Sequence, residues 1–118
     1  METFRFVNFP VYKKAKIFYR NILSVSALLK DFALKDQIRR AALSIVLNIA
    51  EGSAKKSDKE FAKFLQVSLG SVNEVFACLD IMLENKLISK GNFDKLKSQC
   101  EDIAKQLGGF FKKLRVNC

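Results

Sequence analysis

No histidine occurs among the 118 residues. The commonest general base and the commonest metal ligand are therefore both missing. So is the Glu-x-x-His pattern of di-iron bundles. There is no tryptophan. One proline and five glycines supply little material for the many turns of a β-sandwich. Cys78, Cys100 and Cys118 are odd in number and form no C-x-x-C pair, which argues against a zinc ribbon or a redox motif. They fit a reducing compartment in which thiols serve as small core residues. No apolar run approaches the ~18 residues of a membrane span. Met1 to Phe6 show neither an apolar h-region nor a cleavage site. These absences predict a soluble cytoplasmic protein with no membrane partner.

Catalytic patterns are missing too. No Gly-rich phosphate loop occurs, and Gly108-Gly109 is a lone pair inside a helical pattern. No serine has a histidine to activate it. Glu51, Glu74, Asp80 and Glu84 are scattered and form no metal constellation. The expectation is a protein that is not an enzyme, with no cofactor and no metal.

What is present is apolar period and positive charge. The length suits one domain, 1–118, able to bury roughly two-thirds of its unfolded surface. Four amphipathic segments follow one another, and no strand-like alternation competes. After Asn8-Phe9-Pro10, the residues Val11, Ala15, Phe18, Ile22, Val25 and Leu29 recur at helical spacing. Asn8 is the candidate cap there, and Pro10 suits a first helical turn. Ile38, Ala41, Ala42, Ile45 and Ile49 form a second stripe, closed by Gly52 and Ser53. Ser57-Asp58-Lys59-Glu60 reads as a capping box for a long third segment. Ser89 is the candidate cap of a fourth, whose last turns Gly108-Gly109 should weaken. The predicted helices span about 10–30, 35–52, 58–85 and 90–114. Short connections between them predict an antiparallel up-down-up-down four-helix bundle, an all-α fold.

Two helices carry more apolar residues than one core stripe needs. Leu43 and Leu47 lie off the stripe of the second helix. Val67, Cys78 and Ile81 lie roughly opposite the stripe of the third, beside the small residues Gly70 and Ser71. Clustering on adjacent helices predicts a self-association surface. The competing reading is scattered exposed apolar residues, which are ordinary singly. Asn48, Glu51 and Glu74 are polar residues in apolar surroundings, and such groups need partners. They read as a structural polar network with Arg39 or Arg40, within or between subunits. The competing reading is a ligand or RNA contact.

The balance of 21 basic against 12 acidic residues leaves +9. Residues 1–30 carry +5 and residues 89–118 carry +4, whereas residues 57–88 carry −2. The surplus sits on the first and fourth helices. Lys13, Lys16 and Arg20 share one face by spacing, and Lys95, Lys105, Lys112, Lys113 and Arg115 point broadly outward, with Lys105, Lys112 and Lys113 the chief candidates among them. Basic helical stripes suit a phosphate backbone, whose neutralisation releases counterions. A solvated, solubilising face is the plainer alternative.

The string Gln37-Ile38-Arg39-Arg40-Ala41-Ala42-Leu43-Ser44-Ile45, followed by Asn48-Ile49-Ala50-Glu51-Gly52, resembles the signature of the 23S rRNA intervening-sequence proteins, the S23 four-helix-bundle family. Phe64-Leu65, Gly70-Ser71 with Glu74, and Phe9-x-Val11-Tyr12-x-x-Ala15 extend the resemblance over nearly the whole chain. Val46-Leu47 depart from it, since many relatives have proline or a small residue there. So do Ser68 and Leu69, where alanine is frequent. The resemblance implies a bundle that assembles into a ring-like homopentamer. Some relatives are encoded within 23S rRNA genes. A related branch is the accessory protein of diversity-generating retroelements, a basic pentamer that binds RNA and a reverse transcriptase. Residues and resemblance together predict a bacterial, non-enzymatic homo-oligomer that binds RNA or other nucleic acid through a basic surface. The alternative is an adaptor whose oligomer docks a protein partner such as a polymerase.

Overall fold

A computed structural model describes residues 3–116. A 3-10 turn, Arg5–Asn8, leads into four α-helices: α1 (Pro10–Ser26), α2 (Phe32–Ser53), α3 (Asp58–Glu84) and α4 (Lys90–Val116). Among the described residues there is no strand. The molecule measures 45 × 23 × 21 Å, close to the ~40 Å length that 27 helical residues require.

Capping chemistry sets the boundaries. Pro10 occupies the first turn of α1, and Phe9, not Asn8, holds the cap position. The helix ends at Ser26, four residues short of the expected boundary at 30. Cations of α2 take its last carbonyls. Arg39 donates to the Leu23 carbonyl at 3.0 Å and to Ser26 Oγ at 2.8 Å, and Lys35 donates to the Ala27 carbonyl at 3.2 Å. Terminal carbonyls satisfied in this way have no need of a further turn. Asp31 then caps α2, its Oδ1 accepting from the Leu34 N–H at 3.1 Å, so α2 starts three residues before the expected Lys35. Ser57 and Ser89 cap α3 and α4 as their sequences suggest. After α3, Lys86 adopts the left-handed conformation (φ 58°), with Lys86 N–H bonded to the Leu83 carbonyl and Leu87 N–H to the Met82 carbonyl. This is a Schellman ending with lysine where glycine is usual. The backbone stays helical through Gly108-Gly109.

Each helix gives one face to a single core. Phe18 and Ile22 from α1 meet Ile38, Ile45 and Ile49 from α2, Leu65, Leu79 and Met82 from α3, and Leu96, Ile103 and Leu107 from α4, all fully enclosed. Among the described residues the buried polar side chains are Ser26 and Ser68; Ser26 donates to the Ile22 carbonyl and Ser68 to the Ile45 carbonyl. By length and composition alone, α3 could cross a membrane, contrary to the expectation from apolar runs. Its apolar stripe is instead part of the core, with nine residues buried.

The α2–α3 seam is close-packed. Gly52 is buried, and a β-carbon there would lie 2.7 Å from Phe64 Cβ and 2.9 Å from Phe61 Cδ1. Its function is close approach of two helices, not a left-handed ending, because no glycine has positive φ. Contacts along this seam run Gln37 to Glu74, Ser44 to Ser71, Ile45 to Ser68 and Gly52 to Phe64, one chain number rising as the other falls. Between α1 and α4 they run Phe9 to Phe110, Lys14 to Asp102 and Asn21 to Gln99.

Phe9, Phe61 and Phe110 pack together at one end, with ring centroids 5.1–6.3 Å apart. Arg5 lies over the Phe9 and Phe61 rings and donates to the Ser53 carbonyl, which pins the N-terminal turn across that end.

Candidate functional site

The outer surface has two faces of different chemistry. On α1, Lys13, Lys16 and Arg20 are exposed and the helix carries no carboxylate. Lys16 Nζ lies 5.0 Å from the Tyr12 ring centroid. On α4, Lys105, Lys112 and Lys113 are exposed as expected. The Phe9–Phe110 and Lys14–Asp102 contacts put Lys13 at the height of Lys105, with Lys112 and Lys113 about two turns beyond. Arg20 lies further along, near the Asn21–Gln99 contact. Five of the six predicted cations thus gather toward one end of the α1–α4 face.

A carboxylate interrupts that face. Asp102 accepts from Lys14 Nζ at 2.7 Å and from Gln106 at 3.2 Å. These two hydrogen bonds, that from Lys14 foremost, hold its carboxyl below the usual carboxylate range. Lys14 is therefore spent inside the chain, whereas Lys13, Lys16 and Arg20 enter no ion pair among the described residues. Sequence spacing puts Lys14 on no stripe. Only the packing of α1 on α4 shows its partner.

On the opposite side, hydrogen bonds from Ser71 to Ser44 and from Ser68 to the Ile45 carbonyl set the heights of α2 and α3. They bring Leu43 and Leu47 level with Gly70, Ser71 and Val67. Leu47 is 53% exposed and Val67 51%, and a β-carbon at Gly70 would meet nothing within 4 Å. Ile81 is also exposed, but ten residues beyond Ser71, ~15 Å along the helix. Cys78 does not belong to this face. It is 5% exposed and packs in the core, where its reading as a small core residue puts it, because its position on α3 turns inward. Burial, then the Glu74 charge, raises its thiol pKa. Cys100 is buried as well, and its thiol is pushed up to about 12 by burial and by Glu101. Cys118 lies outside the described residues.

The expected polar network divides into separate local pairs. Arg39 anchors α1, and Arg40 pairs with Asp36 one turn away at 2.8 Å. Asn48 donates to the Ser44 carbonyl and hydroxyl, within the α2–α3 seam. Glu74 accepts from Gln37. Glu51 and Glu74 are exposed, not enclosed by apolar neighbours. Helical spacing places these residues near one another along the chain, but their side chains leave the helices in different directions. Among the described residues, no group of three or more His, Cys, Asp and Glu could hold a metal ion.

No curated protein matches this sequence. A crystal structure of a protein of unknown function from the S23 ribosomal protein family of Bacteroides thetaiotaomicron VPI-5482 is similar in fold, with a TM-score of 0.83 and 25% identity. The similarity covers 86% of this chain and 98% of that one. Residues 7–109 match the family described as 23S rRNA-intervening sequence protein, a span that takes in all of the first three helices and most of the fourth. The chain belongs to the 23S rRNA-intervening sequence protein family.

Proposed function

We propose that this protein is a non-enzymatic subunit of a cytoplasmic homo-oligomer that binds RNA through the basic face of α1 and α4. The observation that carries the reading is the separation of the two outer faces. Lys13, Lys16 and Arg20 enter no ion pair among the described residues and stand on a helix without a carboxylate, while Leu43, Leu47 and Val67 stand exposed on the far side beside Gly70. Apolar residues clustered around a bare backbone suit a second copy of the chain. Cations at helical spacing suit phosphates. Opposed contact order along α1–α4 and α2–α3 supports the up-down-up-down arrangement, and the family resemblance supports a ring of five. In such a ring each subunit would add its own cations, so the field at the rim grows with assembly.

The test neutralises Lys13, Lys16 and Arg20 together to glutamine. Affinity for a structured RNA should fall, and the slope of log affinity against log salt should drop by roughly 2 to 3, about 0.7–0.9 for each phosphate no longer neutralised. Unchanged affinity and slope would overturn the reading and favour a protein-docking oligomer.

A further inference from the structure

A groove of about 510 Å³ lies between the first three turns of α3 and the end of α4. Its lining is Lys59, Ala62, Lys63, Gln66, Phe111 and Arg115. Three of these six side chains are cationic and none is a carboxylate. No ion pair among the described residues engages Lys59, Lys63 or Arg115. The Arg115 guanidinium sits 5.6 Å from the Phe111 ring centroid, so a flat cation and a ring already face each other at one wall. Gln66 adds a neutral amide able both to donate and to accept.

The lysines are poorly placed for the fold itself. Lys59 and Lys63 are one turn apart, where like charges repel. Both stand in the first two turns of α3, at the positive end of its dipole. Asp58 and Glu60 share those turns yet form an ion pair with neither lysine. Asp58 and Glu60 answer the dipole of that turn, which leaves the two lysine ammonium groups free to face the groove. Two other grooves, both against α1 and α4, lack this combination. The α1–α4 groove, about 200 Å³, has its one cation, Lys14, neutralised by Asp102. The groove beside Phe9 and Phe110 carries one cation, Lys113, in a mostly apolar lining.

We infer that the α3–α4 groove binds one nucleotide unit of single-stranded RNA, with the phosphate among Lys59, Lys63 and Arg115 and the base against Phe111. Cations that track the backbone, with an aromatic face for the base, are how unpaired strands are held without sequence readout. The groove lies outside the α1–α4 cation set, so it gives the same RNA a second point of attachment and a preference for unpaired segments. The inference rests on the RNA-binding reading, and two probes separate their failures.

Isotope-labelled protein titrated with uridine 5′-monophosphate should show its largest NMR shift changes at Lys59, Lys63, Gln66, Phe111 and Arg115. A labelled decauridine, followed by anisotropy, should bind roughly tenfold more weakly to the Lys59→Gln/Lys63→Gln variant, the scale expected when one stacked and charge-held nucleotide is released. The Lys13→Gln/Lys16→Gln variant removes the same charge and should weaken decauridine by less than about threefold, while weakening structured RNA more. Phe111→Leu should weaken decauridine without changing the salt slope. Nucleotide shifts in the groove without binding of structured RNA would sink the proposed function and leave the groove standing. Equal weakening of decauridine by the two double variants, or shifts spread over α1, would overturn the groove while leaving the basic face intact.

Discussion

The helix pair α1/α4 and the pair α2/α3 have the same task inside the bundle and opposite outer surfaces. Each helix supplies one apolar face to the core. Outside it, α1 and α4 carry 11 basic and 3 acidic residues, whereas α2 and α3 carry 5 basic and 7 acidic. Exposed leucine, isoleucine and valine follow the reverse order, with Leu43, Leu47, Val67 and Ile81 on α2/α3 against Ile17 on α1. The seams differ as well. Between α1 and α4 the polar links are an exposed ion pair and an amide pair, Lys14–Asp102 and Asn21–Gln99. Between α2 and α3 the backbones come close enough at Gly52 to exclude a β-carbon, and hydroxyls bridge the remainder. The α2/α3 half is thus closely packed within and more apolar outside, and the α1/α4 half is more open within and more basic outside. That division is what the functional reading uses.

The largest expected effect breaks the comparison at its apolar side. Leu43→Glu/Leu47→Glu should reduce the light-scattering mass to the 13.4 kDa of one chain while leaving the helical circular dichroism unchanged. Lys13→Gln/Lys16→Gln should leave the mass untouched. A wild-type protein that is already monomeric, or a charged variant that keeps its mass, contradicts the assignment of the two faces.

Two glycines sharpen the contrast between inner and outer sides of the α2–α3 pair. Gly52→Ala should cost about 1–3 kcal/mol in urea denaturation, since Phe61 and Phe64 would have to shift. Gly70→Ala should stabilise the isolated chain by roughly 0.5–1 kcal/mol through helix propensity, because the space beside it is open. If Gly70 lies at a subunit contact, the same change should lower the oligomer fraction.

Cys100 gives a pH signature. Its pKa is raised from 9.0 to about 12 in the folded chain. The unfolded thiol therefore ionises above pH 9 while the native one stays protonated. This contribution to stability is complete below pH 9 and disappears as pH rises toward 12, at up to about 1.4 kcal/mol per unit. Between pH 8 and 10.5, wild type should lose about 1–2 kcal/mol more than Cys100→Ala. Equal losses would place the thiol in contact with solvent.

The smallest effect is at the α3–α4 turn. Lys86→Gly should add roughly 0.5–1 kcal/mol by relieving the left-handed lysine.

The buried half of the molecule is legible in the sequence, and the exposed half much less so. Helical period forces Ile38, Ile45 and Ile49 inward whatever their neighbours are, so the four helices and their stripes can be read directly. The end of α1 cannot, because Arg39 and Lys35 close it from another helix. Asp31 is readable as an acceptor standing just before Phe32, but the apolar period running through Leu29 obscures it. The outward placement expected of Cys78 fails because one helical position, about 100° of rotation, separates outward from inward and the sequence does not show where α2 sits. The cations of α1 are legible as a stripe. The groove of Lys59, Lys63, Phe111 and Arg115 is not, because its members lie about fifty residues apart and meet only when α4 returns beside α3.

The most direct test of the central claim is anisotropy of the wild-type protein with a structured RNA across salt, with matched duplex DNA as the control. Log affinity should fall steeply and linearly with log salt, and the RNA should bind more tightly than the DNA. Absence of binding at low salt would contradict the claim.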